Sequence, residues 1–279
     1  MSDEATGTAG TAGGTAGGTA DATATGPRGA AGTAGTAGDA PPGTRETALA
    51  LGDDALILSH RLAEWAGSAP VLEEEVALAN LALDLLGQAR ALLSLAGDED
   101  ALAFRRDARA FRNVRLVELP NGDFAHTMVR QLFFSAWQRP LFARLAERPG
   151  PFAAIAAAAG PEIAYHLDHA VTWTLRLGDG TAESHARAAR AVAALWRHTG
   201  ELFEPVPGLD WLDPAALRAD WTAHVTGTLR AATLPVPGEP PPPGAPFTGG
   251  GRRGLHTEAF GRLLAEMQHL HRSHPGAAW

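Results

Sequence analysis

Residues 77–90 read A-L-A-N-L-A-L-D-L-L-G-Q-A-R. Leu78, Leu81 and Leu85, continued by Ala89, Leu92 and Leu95, recur at steps of three and four, the spacing of one helix face. The pattern opens after Pro70 and closes at Gly97, which predicts a helix of about 25 residues. Most of its other positions are apolar as well, so this helix is expected inside a bundle.

Working outward, Leu51, Ala55, Leu58, Leu62 and Trp65 mark a preceding helix stopped by Gly67. A third helix is expected from Asp123 to Glu147, carrying Ala125, Val129, Leu132 and Ala136, with a kink at Pro140. A fourth spans Pro151 to Leu177, interrupted at Gly160-Pro161 and closed by Gly178-Asp179-Gly180. The connection from the second helix to the third, about Gly97 to Gly122, is long, whereas the other two are brief. Two hairpins joined by one long crossover make the ferritin-like version of a four-helix bundle. Two additions follow: a helix behind a Thr181 cap, presenting Val192, Leu195, Thr199 and Leu202, and one opened by Asp213-Pro214. Residues 233–254 hold the Pro240 to Pro243 run and the Gly249-Gly250-Gly251 cluster and read as an extended loop or arm. A last helix starts near Thr257, with Phe260, Leu263, Leu264, Met267 and Leu270 on its face. No alternating strand pattern competes, so the class is all-α, a ferritin-like four-helix bundle with additional C-terminal helices.

The first 44 of the 279 residues contain 12 Ala, 12 Gly and 10 Thr and no large apolar residue beyond Met1. Such a segment cannot bury enough surface to offset its ordering entropy, so a disordered tail is expected over 1–44 and a helical domain over 45–279. There is no cysteine, which excludes disulfides, thiolate metal ligation and a cysteine nucleophile. The net charge of −8 gives no footprint for nucleic acid or an anionic membrane. No uninterrupted apolar run of about 18 residues and no basic-then-apolar leader is present, so a soluble cytoplasmic protein is expected. All the basic residues are Arg, a coding bias rather than a functional demand.

A ferritin-like bundle raises the question of a di-iron centre, in which two helices each give a Glu and two give Glu-x-x-His. Here the set is broken. On the second helix, Asp84 is followed at the third position by Gly87 and then by Gln88. On the fourth, Glu162 has Tyr165 at the third position and His166 at the fourth, with His169 three further on. Glu162, His166 and His169 share a face, which suits either a mononuclear metal site or a hydrogen-bonded buried cluster. The third helix decides against a six-ligand centre, because nothing between Asp123 and Glu147 is Asp or Glu. Asp53 and Asp54 read as caps and dipole partners near the start of the first helix. The bundle interior is then expected to hold pairs such as Asp84 with Arg130 or Gln131. Arg252-Arg253 beside Gly254 and His256 reads as a weak phosphate grip or as an ordinary solvated pair.

Six blocks narrow this further: L-G-D-D-A-L-I-L-S-H-R-L-A-E-W (51–65), A-L-A-N-L-A-L-D-L-L-G-Q-A-R (77–90), D-E-D-A-L-A-F-R-R-D (98–107), V-E-L-P-N-G-D-F-A (117–125), L-W-R-H-T-G-E-L-F (195–203) and G-L-H-T-E-A-F-G-R-L-L-A-E-M-Q-H-L (254–270). In these the chain resembles the structural, non-metal C subunits of bacterial phenylacetyl-CoA epoxidases, multicomponent ring oxygenases. The resemblance implies a ferritin-like subunit without catalytic residues or cofactor of its own, paired with a homologous di-iron subunit. It implies that NADPH supplies electrons through a separate reductase and that phenylacetyl-CoA becomes a ring 1,2-epoxide. The family has no ligand motif in this subunit to transfer. A pairing role predicts exposed apolar surface, and Trp196, Phe203, Trp211, Trp221 and Phe247 are candidates either for that interface or for the core. The rival reading is a self-sufficient metal-dependent oxidase or oxygenase using Asp84, Glu162, His166 and His169. A helical interaction or storage protein is a third.

Overall fold

In the computed structural model, residues 41–242 and 249–277 are described, and among them there is no strand. Within these residues nine α-helices follow one another: α1 (Thr44–Ala63), α2 (Leu72–Ser94), α3 (Glu99–Phe104), α4 (Arg115–Glu118), α5 (Phe124–Glu147), α6 (Ala153–Gly178), α7 (Ala182–Trp196), α8 (Pro214–Ala231) and α9 (Glu258–Ser273). The protein is all-α and ferritin-like. Hairpins α1–α2 and α5–α6 form the bundle, α7 and α8 pack on α5, and α9 lies against α3 and α4. The expected tail falls outside the described residues except for 41–44, of which Thr44 already opens α1.

Local chemistry explains most helix starts. The Asp123 carboxylate accepts from the His126 N–H, and the Asp213 carboxylate from the Ala215 N–H, with Pro214 in the first turn. Thr181 and Ser184 cap α7 reciprocally. The long crossover is not structureless: α3, a 3₁₀ turn at Ala108–Ala110 and α4 occupy it. Residues 199–203, expected to extend α7, instead form a separate 3₁₀ turn, Thr199–Phe203.

Two expectations are corrected. The break at Gly160-Pro161 does not occur, because α6 runs through Pro161. A proline costs the ladder one bond, and Ala156, Ala159, Ile163, Leu167 and Ala170, all buried, hold the helix in place on both sides of it. Second, α2 is not interior. Leu78, Leu81, Leu85, Ala89 and Leu92 are buried, but Leu72 is 72% exposed, Val76 53% and Leu83 64%, because α1 and α6 cover one side of it only. By length and composition α2 is also the one helix among the described residues apolar enough to cross a membrane.

The aromatic candidates, open in sequence between interface and core, are separated by the packing. Trp196, Phe203 and Trp221 are core: Trp221 is fully buried, with ring centroids 5.3 Å from Trp196, 5.5 Å from Phe203 and 5.6 Å from Phe133. Its indole N–H donates to the Phe133 carbonyl at 2.8 Å. These rings fill the space between α5, α8 and the turn after α7, where aromatic bodies supply much area per residue. Trp211 is partly exposed under the Arg148 guanidinium, and Phe247 lies outside the described residues. The described parts of the expected arm are held down as well, since Trp196 Nε1 donates to the Gly238 carbonyl at 3.1 Å.

Candidate functional site

The positions where a di-iron bundle keeps its ligands are brought together, but by hydrogen bonds. Glu162 lies one helical turn from His166 on α6, and both face α2. Gln88 Nε2 donates to Glu162 Oε2 at 2.9 Å, and Gln138 Nε2 on α5 donates to Gln88 Oε1 at 2.9 Å. One turn along α2, Asp84 Oδ2 meets His166 Nε2 at 3.0 Å. His169 Nε2 is taken by a different acid, Glu74 Oε2, at 2.9 Å. Asp84 therefore does not pair with Arg130 or Gln131. A step of about 100° per residue turns Arg130 away from the Gln131 face of α5, and its guanidinium donates to the Leu119 carbonyl at 2.7 Å and to Asn121 Oδ1.

The chemistry of this line is that of a polar seam. The carboxylates Glu162 and Asp84 are each engaged by a neutral or near-neutral nitrogen donor. Burial pushes the His166 imidazole below its ordinary pKa, against the opposing pull of Asp84 and Glu162, so the ring is neutral at pH 7. Gln88 and Gln138 carry amides where metal ligation would call for carboxylate or imidazole, and an amide is a poor ligand for a redox iron. His166 and His169 turn to acids nearly three helical turns apart on α2, so their lone pairs do not converge. Among the described residues no group of three or more His, Asp and Glu side chains has the arrangement to hold a metal ion. A di-iron group does not fit these residues.

This bundle, its long crossover and its substituted ligand seam meet one family when the sequence is compared with known proteins: the phenylacetic acid catabolic protein family matches residues 36–279. The chain belongs to that family. Among the relatives of this chain is one from Escherichia coli (strain K12), named as the C subunit of 1,2-phenylacetyl-CoA epoxidase. It is 49% identical over 246 residues, which cover 83% of this chain and 97% of the relative.

A second polar group in this family member is larger than the seam, and sequence reasoning missed it. Asp53 and Asp54 are not caps. Helix α1 begins at Thr44, so both lie at its middle and are fully buried. Asp53 forms an ion pair with Arg106 and accepts the Arg112 N–H at 2.8 Å. Asp54 accepts the Val114 N–H at 2.8 Å and Arg252 Nη2 at 2.6 Å. Arg252 is thus neither a phosphate grip nor a solvated residue: Nη1 also donates to the Ala50 carbonyl at 2.7 Å and the Arg112 carbonyl at 2.8 Å. Its neighbour Arg253 reaches solvent and pairs with Glu204 at 3.3 Å.

Two more acids extend the group. Glu201 accepts the Arg115 N–H at 2.7 Å and the Gly250 and Gly251 N–H groups at 2.9 and 2.6 Å. Glycine is required at both cradle positions: Gly250 has φ 117°, and a Cβ on Gly251 would stand 2.1 Å from the Asn113 carbonyl oxygen. Glu118 binds His256 Nδ1 at 2.7 Å and accepts Asn113 Nδ2 at 2.9 Å. Burial raises the Asp53 and Glu201 carboxyls above their ordinary range and pushes Asp54 up to about 6, while Arg106 and Arg252 oppose it. Asp53 and Asp54 tie α1 to the crossover and to Arg252, and Glu118 and Glu201 tie the crossover to residues 250–257, so the group fastens the two longest connections onto the bundle. The signal available in sequence was the adjacent acid pair inside an otherwise apolar helix face, without an adjacent cation.

Proposed function

We propose that this chain is the structural, non-catalytic subunit of a phenylacetyl-CoA 1,2-epoxidase complex of aerobic phenylacetate breakdown. It pairs with and supports a homologous di-iron subunit, which carries the oxygen chemistry. Membership of the phenylacetic acid catabolic family, and the subunit name of a relative 49% identical over most of both chains, support its place in that complex. The observation that carries the structural role is the Gln138–Gln88–Glu162 chain, where amides take up the carboxylate that a metal would need. In this reading the oxidising centre, the electrons that originate in NADPH and a reductase, and the epoxidation of phenylacetyl-CoA belong to the other subunits, in the cytoplasm, with no nucleic acid or membrane involved. This chain contributes rigidity: a bundle of similar shape covers the partner's helix faces and holds its ligand helices still.

The test is reconstitution. The di-iron subunit, its reductase and NADPH are assayed for phenylacetyl-CoA consumption without and with this chain, and this chain is assayed alone with the reductase. The expected result is no turnover by this chain alone and a gain of at least about tenfold when it joins the di-iron subunit, the scale on which positioning alone changes rates. Turnover by this chain without the di-iron subunit overturns the reading.

A further inference from the structure

We propose that the outer face of α2 is the docking surface for a helix face of the metal-bearing subunit, one that is apolar along its centre and basic along both flanks. This rests on the pairing role argued above and adds the place and the chemistry of the contact.

Exposed apolar side chains are concentrated on this face. Of the nine large apolar residues exposed among the described residues, five fall between Val71 and Leu86. Leu72, Val76, Ala79, Leu83 and Leu86 are spaced four, three, four and three, so they form one straight stripe about 21 Å long. It lies opposite the buried stripe of Leu78, Leu81 and Leu85. Beside it, a groove of about 310 Å³ between α1 and α2 is lined by Leu62, Ala63, Ala82 and Leu83, with His60 and Glu75 at its margin. At Gly87 nothing stands within 4 Å of where a Cβ would be, so a second helix can approach closely there. Stripe, groove and small residues together are the surface into which helix ridges pack.

The charges choose the occupant. At about 100° per residue, Glu73 and Asp84 border the stripe on its α6 side and Glu75 borders it on its α1 side. Glu162 continues the acidic border on α6. The one cation on the stripe, Arg90, is at its far end and paired with Glu99. A second copy of this chain would bring acids against acids, and an anionic bilayer would meet the same repulsion. A partner helix face with Arg or Lys on both flanks satisfies both borders while its centre covers the leucines, the apolar core and polar rim of an ordinary interface.

The experiment co-expresses this chain with the tagged metal-bearing subunit of its own complex and measures the affinity of the purified pair. Val76→Glu and Leu83→Glu are compared with the wild type and with Leu270→Glu, an exposed leucine on α9 that is not part of the α2 stripe. All three sites are solvent-exposed, and unchanged melting curves show that the variants remain folded. The expected result is at least about a tenfold loss of affinity for each α2 variant and none for Leu270→Glu. Glu75→Arg is expected to weaken binding and reduce its salt dependence. Equal binding by wild type and α2 variants overturns this inference and leaves the pairing role standing. Failure of the wild type to bind removes the pairing role itself. Self-association through this face, or flotation with phosphatidylglycerol vesicles that Leu83→Glu abolishes, also overturns the proposal.

Discussion

Arg252→Ala lowers folding stability by about 3–5 kcal/mol, the range found when one partner of a buried ion pair is removed. The side chain is 6% exposed and bonds only Asp54 and two backbone carbonyls, so the effect is on folding. Without it Asp54 keeps one N–H donor, from Val114, and the carbonyls of Ala50 and Arg112 lose their shared guanidinium. The loss also depends on pH. The folded Asp54 carboxyl lies above its unfolded value, so between the two the folded chain holds the extra proton and stability falls as pH rises. With Arg252 gone that carboxyl rises further, so the defect is largest at pH 7.5 and shrinks below about 6 as Asp54 neutralises. Urea unfolding at pH 7.5 and 5.5 checks both parts. A loss under 1 kcal/mol at pH 7.5 would mean that the ion pair is not the fastening described here.

Trp221→Ala is expected to cost about 3–5 kcal/mol from the cavity and the lost contacts. The Phe133 carbonyl lies inside α5 and keeps its helical N–H partner, so the lost indole bond adds only about 0.5–1.5 kcal/mol. The indole is enclosed by Phe133, Trp196 and Phe203, none of which can collapse into the space without leaving its own partners. Trp221→Phe keeps a ring and loses the hydrogen bond, so it should fall between wild type and alanine. Denaturant midpoints of the three proteins make the comparison. If Trp221→Ala instead kept full stability and lost only its partner subunit, this residue would belong to an interface and the core assignment would be wrong.

Those two residues also show how far the sequence can be read. Asp213-Pro214 and the Thr181 cap announce α8 and α7 because capping is a local bond between residues two or three apart. Helix α1 gives no such signal. Gly43 precedes it in a left-handed conformation and no side chain caps it, so its true start is hidden and Asp53 and Asp54 look like terminal residues. Their partners stand 53 and 198 residues away, a separation that no periodicity reveals. Aromatic type alone does not separate core from interface, so Trp196, Phe203 and Trp221 are ambiguous without the packing of α8 on α5. The reverse holds for α2, whose leucines are visible as apolar on every side. What covers each side depends on neighbours, and on the outer side the described residues supply none. The ligand seam is partly legible: the slip from Glu-x-x-His to Glu162-x-x-x-His166 is in the sequence, but which residue of α2 meets His166 depends on the register of two helices.

In the proposed role this bundle keeps the shape of a metal-bearing one, with hydrogen-bonded amides where ligands would stand. The direct measurement is metal content: the chain, expressed alone with ample iron and purified without chelators, is assayed by plasma mass spectrometry for iron, manganese and zinc. The expected result is far less than one metal ion per chain, with Gln88, braced by Gln138, holding Glu162 and the Asp84–His166 pair intact. About two irons per chain would contradict it, and would make Asp84, Glu162, His166 and His169 part of a working centre.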